Sequence, residues 1–433
     1  MSKILYPPQA RAFRFFYQRL NSGLSTLDQS DMGTGKTPVG VKLAKALGSP
    51  VAVICPKAVI PAWERELAEE GITATFILNL ESLRRGKTGY VSKVGKKNFK
   101  WLLPQDTFFL VDEIHMCKGP WSQNAALLVA LVKQGYLIHG MSGTSCEDPT
   151  EMRPLGLMLG LHSGDEKKDG MLRWWPWMRR YGCEKNNWGS WILEDPFHLP
   201  KLRKEMYSTR VHRLTVSDFP TSFKENRVFV QPIQFRENKK IQKAYEDLGV
   251  TPSIVEEYIE KGTVTDSEHV LANITAARRL AEAFKVVDIA EMAEDLMQKG
   301  NSVVLFVNYS DTVDALRLRL KCDRIDGRQT ATDRQRVIDE FQADQTHCIA
   351  VNAAAGGTGI SLHDTVGNRP RVALISPTFN FKIYKQVLGR IHRNGGKSDA
   401  IQKVLVASDS IEEHVMRAIQ RRQRNMKHLH NVE

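Results

Sequence analysis

"SDMGTGKT", residues 30–37, leaves a short apolar stretch and runs straight into the helix-forming "PVGVKLAKALG". That context is what a phosphate-binding loop needs. Gly33 and Gly35, with Thr34 between them, let backbone N–H groups come close to an anion. Lys36 can reach the β- and γ-phosphates of a nucleotide, and Thr37 can set its hydroxyl on magnesium. The helix start adds its positive dipole end at the same point. Ser30 stands where the usual pattern begins with glycine.

Further along, "FFLVDEIH" (108–115) reads as a buried strand ending in two carboxylates. Strand alternation is expected to send Asp112 and Glu113 to different sides. Asp112 suits magnesium, Glu113 suits orienting and deprotonating a water, and His115 is placed to couple the site to the downstream segment. A carboxylate pair after a strand is common in isolation. Downstream of a phosphate loop it points to nucleotide hydrolysis.

The surrounding pattern supports an α/β fold. "VAVIC" (51–55) and "FFLV" (108–111) alternate with amphipathic "AVIPAWERELAEEG" (58–71) and "QNAALLVALVKQG" (123–135). A second such region holds "SVVLFV" (302–307), "HCIAV" (347–351), "RVALIS" (371–376) and "IQKVLVA" (401–407). Short apolar runs between helices imply parallel sheets covered on both faces. Between the regions, five of the eight tryptophans fall within 174–191, followed by a charged stretch and a linker expected near 247–253. These shifts give expected boundaries of 1–165, 166–268 and 269–433.

The chain has 433 residues, too many for one ordinary core, and a net charge of +12. That charge favours a polyanionic partner, nucleic acid first. No apolar run is long enough to span a bilayer, and the six cysteines lack zinc or C-x-x-C spacing. The expected setting is therefore cytoplasmic, without membrane, disulfides or structural metal.

Taken in order, the motifs resemble the Swi/Snf-type ATPases of helicase superfamily two. "LYPPQ" is similar to the glutamine motif that reads adenine, giving Gln9; "ICPKAVIPAWERE" is similar to the stretch with Trp63 and Glu66. "VDEIHMCKGPWS" is similar to the carboxylate box with its trailing Lys118 and Pro120. "MSGTSCED" resembles the motif that couples hydrolysis to movement, giving Ser142, Gly143 and Thr144. "RIDGRQTATDRQRVIDEFQ", "AAAGGTGISL" and "QVLGRIHRNGG" (386–396) resemble three motifs of the second lobe. "RRYGCEKNNWGSW" with "VHRLTVSDFP" resembles the annealing-helicase branch, in a minimal bacterial or phage-like version. Ile114, Ser361 and Gly396 depart from the family pattern.

The resemblance implies two tandem RecA-like doubly wound lobes with a helical insertion between them. ATP and magnesium would be used, with Gly359 at the nucleotide and Gln386 in coupling. Arg390 and Arg393, three apart on an expected helix ending at Gly395–Gly396, would act on the γ-phosphate from the second lobe. The expected track is double-stranded or branched DNA. Its phosphates would meet Lys57, Lys118, Tyr309, Arg328 and Thr358, with Lys93, Lys96 and Lys97 in the basic stretch 84–100 added. The expected working form is a monomer, with a separate targeting or nuclease partner. A strand-separating or RNA-dependent helicase of the same superfamily stays open as an alternative, as does a non-motor scaffold for a DNA-processing enzyme.

Overall fold

The computed structural model describes residues 4–95, 98–143, 145–186, 189, 191–261, 267–356 and 360–430. Lys96, Lys97, Thr144, Thr358 and Gly359 lie outside the described residues. The chain divides into two compact units, Met1–Phe219 with Asn425–Glu433, and Pro220–Arg424.

The first unit contains β1 (Thr26–Asp28), β2 (Val51–Ile54), β3 (Phe76–Leu78) and an antiparallel hairpin of β4 (Val91–Lys93) and β5 (Phe99–Trp101). It continues with β6 (Phe108–Asp112), β7 (Leu137–Met141), a second hairpin of β8 (Cys183–Lys185) and β9 (Trp191–Leu193), and β10 (Val211–His212). Six of these form a parallel sheet in the order β10-β1-β7-β6-β2-β3. All four residues of β2 and the first four of β6 are buried, as strands covered on both faces must be. Because β1, β7 and β6 are neighbours, Asp28, Met141 and Asp112 share one row at their carboxyl ends. Ligands of open α/β sheets gather at such ends.

The second unit contains β11 (Asn226–Ile233), β12 (Ser302–Val307), β13 (Asp323–Ile325), β14 (Cys348–Asn352), β15 (Arg371–Ile375) and β16 (Ala400–Ala407). They make a second parallel sheet in the order β11-β16-β15-β12-β14-β13. Both sheets agree with the expected fold class. Among the described residues no helix is long and apolar enough to cross a membrane.

The expected boundaries need correction. The stretch 166–268 does not stand apart but is divided between the units. Trp174, Trp177, Leu199, Leu202 and Met206 join the core of the first. β11 pairs along its whole length with β16 of the second, so that lobe takes in residues well before 269. The expected linker near 247–253 is only the turn between helices Asn238–Glu246 and Pro252–Lys261.

Candidate active site

Residues 29–35 bend sharply between β1 and helix Lys36–Leu47. Gly33 and Gly35 take φ values of +82° and +91°, which side chains rarely adopt. Gln9, on helix Pro7–Asn21, donates from Nε2 to the Thr34 carbonyl at 2.8 Å and accepts from the Tyr6 N–H at 3.0 Å. A Cβ at Gly35 would stand 2.1 Å from Gln9 Nε2. Gln9 is thus packed on the loop itself. Lys36 Nζ donates to the carbonyls of Ser30 (2.7 Å) and Asp31 (3.0 Å), holding its charge within the loop.

Ser30 has a purpose that its departure from glycine did not reveal. Its Oγ accepts the Leu214 N–H at 2.9 Å, and its own N–H donates to Asp28 Oδ1 at 2.9 Å. The Asp31 N–H donates to the Leu214 carbonyl at 2.8 Å. Arg213, its side chain 5% exposed, forms an ion pair with Asp31. The segment after β10 therefore clamps the phosphate loop. Sequence reasoning missed it, because the partners lie more than 180 positions apart; the one signal was a serine in a glycine position.

At the end of β6, Asp112 Oδ2 accepts the Trp63 indole N–H at 3.1 Å, and Oδ1 accepts the Glu113 N–H at 2.9 Å. Withdrawal from water raises the Asp112 carboxyl to about 6, helped by the Glu113 carboxylate and opposed by Trp63 and Lys36. The alternation expected for the two carboxylates stops at Asp112. Glu113 turns out of the strand with φ +50°, a left-handed geometry costly for a side-chain-bearing residue. There it meets His115 Nδ1 at 3.0 Å, and the same nitrogen lies 3.0 Å from Ser142 Oγ. Glu113, His115 and Ser142 thus form one chain between β6 and β7. The backbone at Gly143 passes so near that a Cβ there would lie 3.5 Å from the Ser30 carbonyl and 3.9 Å from Lys36 Nζ. The bulk of Ile114 is accommodated by Gly140, whose added Cβ would lie 2.6 Å from Ile114 Cδ1.

These residues fit a magnesium nucleotide. Lys36 and two left-handed glycines suit phosphates, and the half-buried Asp112 carboxylate, its ionisation opposed by burial, gains from a nearby cation. Thr37 sits in the first turn of its helix, in position to add a hydroxyl. Among the described residues no three His, Cys, Asp or Glu side chains converge as a metal cage. Magnesium here would take its further ligands from nucleotide and water.

The second unit corrects one expectation. The helix carrying Gln386 is Phe381–Leu388, so Arg390 and Arg393 follow it rather than ride on it. Gly389 ends it, and the Leu388 carbonyl is taken by Gln402 Nε2 at 2.8 Å. The arginines still converge: Arg390 Nη1 and Arg393 Nη2 donate to the Ile360 carbonyl at 3.1 and 3.3 Å.

The residues expected on DNA are dispersed. Lys57 and Lys93 are exposed. Lys118 is not: it is 8% exposed and paired with Glu147 at 3.0 Å and with Glu151, which ties the carboxylate box to the segment after β7. Tyr309 donates to the Thr275 carbonyl at 3.2 Å. Arg328 is held by Asp314 and Asp326.

Residues 285–395 match the helicase conserved C-terminal domain. Over 430 residues the chain is 31% identical to a putative ATP-dependent RNA helicase of Acanthamoeba polyphaga mimivirus, covering 92% of this chain and 78% of that protein. Over 145 residues it is 31% identical to a RAD54-like DNA repair and recombination protein of Drosophila persimilis, covering 32% and 18% of the two. Among solved structures, the Sulfolobus solfataricus SWI2/SNF2 ATPase core in complex with dsDNA aligns with a TM-score of 0.39 and 15% identity, over 94% of this chain and 88% of that one.

Proposed function

Because the chain belongs to the Swi/Snf-type ATPases of helicase superfamily two, and so hydrolyses ATP and acts on nucleic acid, we propose that it moves along double-stranded DNA without general strand separation. The observation that carries the reading is the chain Glu113–His115–Ser142 beside the phosphate loop. It gives a proton-handling carboxylate at the nucleotide a bonded route to a segment that can shift with nucleotide state.

In this reading Gln9 and the loop hold the nucleotide, and Lys36 moves from its loop carbonyls to the phosphates. Asp112 and Thr37 would hold magnesium, which when bound would neutralise phosphate charge. Glu113 orients the attacking water and accepts its proton. Arg390 and Arg393 stabilise charge on the transferred phosphoryl group, a role that rests on the motif resemblance. The grip on DNA is through phosphates and reads no sequence.

Support for DNA comes from the net charge of +12 and from the Drosophila relative, whose name speaks of DNA repair and recombination. The name of the mimivirus relative favours a second reading, an RNA-dependent helicase. ATPase rates measured side by side with duplex DNA, single-stranded DNA, forked DNA and duplex RNA separate them. The first reading expects stimulation by duplex or forked DNA; stimulation by RNA alone selects the second.

A further inference from the structure

We propose that the first unit carries a groove for an unpaired nucleic-acid strand, walled by Trp121 on one side and the β4–β5 hairpin on the other. The proposal rests on the reading that DNA is the track, and adds a second binding mode to it.

The groove encloses about 630 Å³ along helix Gln123–Lys133, with Phe99, Lys100, Trp121, Lys133, Arg153 and Asp165 in its lining. Trp121 is 50% exposed, an expensive state for so large an apolar ring. It begins a ladder. The Arg153 guanidinium lies 4.3 Å over its ring, and Trp175 stacks on it at 5.9 Å. Trp191 follows Trp175 at 5.5 Å, with Arg179 and Lys185 over Trp191 at 5.4 and 5.9 Å. Rings and cations thus continue from the groove across the surface of one unit.

Charge selects the occupant. Asp165 is engaged by Arg153, and Glu166 by Lys133, so these two pairs leave no net charge beside the groove. On the hairpin side, the described residues 91–95 and 98–101 include Lys93 and Lys100, both exposed, and no Asp or Glu. A surface that sets aromatic rings among cations holds base faces and phosphates together. A duplex keeps its base faces inside the stack and presents a convex backbone. A concave pocket of this size takes unpaired bases instead. At a fork or behind a displaced strand, such a groove would hold the strand that the motor does not track.

The test uses the full chain without nucleotide, a short oligothymidylate and a blunt duplex of equal length, read by fluorescence anisotropy. Trp121→Ala should weaken oligothymidylate binding about tenfold, the loss of one base stack. Duplex binding and the thermal melt should match the parent, and Trp121→Phe should retain most single-strand affinity. Unchanged oligothymidylate binding in Trp121→Ala overturns the proposal and leaves the groove to a protein partner. Equal losses for single strand and duplex overturn it as well. If the parent fails to displace a triplex strand while its single-strand binding depends on Trp121, the translocase reading fails and the groove stands.

Discussion

The phosphate loop of the first unit and the arginine turn of the second are both short motifs, yet they are built differently. The loop is held by its own glycines and by a clamp from far along the chain: Leu214 bonds Ser30 and Asp31, and Arg213 pairs with Asp31. In the arginine turn, both guanidiniums share one carbonyl, that of Ile360. The loop is therefore fixed by several independent contacts before any nucleotide arrives. Arg390 is buried in that turn, 2% exposed, and Arg393 is half-buried beside it. A loop clamped from far along the chain and an arginine turn gathered on one carbonyl are two different constructions, and the binding role proposed for the first and the catalytic role proposed for the second can be tested separately.

The largest expected effect breaks the comparison at its chemistry. Arg393→Ala should bind ATP nearly as the parent does yet lose about 10³-fold or more in turnover, while Lys36→Ala should lose binding or turnover outright. Nucleotide binding by filtration and steady-state ATPase separate the two; parental turnover in Arg393→Ala would remove the arginine from the site.

Next comes the clamp. Arg213→Ala strands Asp31 beside the loop and should cost about 2 kcal/mol of stability, discounted for the partial exposure of Asp31. KM for ATP should rise more than kcat falls. Denaturant melts give the first quantity and initial rates the second. An unchanged KM would mean that the loop keeps its shape without the clamp.

Trp63→Phe sharpens the carboxylate side. Without the indole N–H, Asp112 should rise above its present value of about 6. Its ionised, magnesium-binding form is present above that value and lost as pH falls through it. The acidic limb of the ATPase profile should therefore move to higher pH in the variant, and added magnesium should move it back.

The smallest effect contrasts the stability of the units. Burial holds His139 and His162 of the first unit at about 4, and His363 of the second likewise. Unfolded, each would titrate near its ordinary 6.5, so stability present above 6.5 is lost as pH falls toward 4. Between pH 7 and 5 each costs about 2 kcal/mol. Melting followed in the two units should show the first losing more on acidification; equal losses would mean that other groups outweigh these histidines.

What could be read in the sequence was what the backbone does locally. The glycine spacing at 33–37, the apolar run into Asp112 and the alternation of strands and helices each depend on neighbours along the chain. The sheets, the phosphate loop and the carboxylate pair arise from them. What escaped depends on distant partners. The hydroxyl of Ser30 makes sense only with Leu214 beside it. Lys118 reads as a surface cation until Glu147 and Glu151 bury it. Helix Phe381–Leu388 stops short of Arg390 where Gly389 follows and Gln402 caps it. β11 falls within the stretch 166–268 expected between the lobes, until β16 pairs with it.

The central claim, movement along duplex DNA without prying it open, is tested most directly with two substrates and one ATP-regenerating buffer. A third strand laid in the groove of a duplex should be displaced by the chain only when ATP is hydrolysed, and Lys36→Ala should leave it bound. A plain duplex with a single-stranded tail should stay paired under the same conditions, since opening each step costs about 1.4 kcal/mol of stacking on average. Rapid ATP-dependent separation of the tailed duplex, with the triplex left intact, would contradict the account and select a strand-separating helicase in its place.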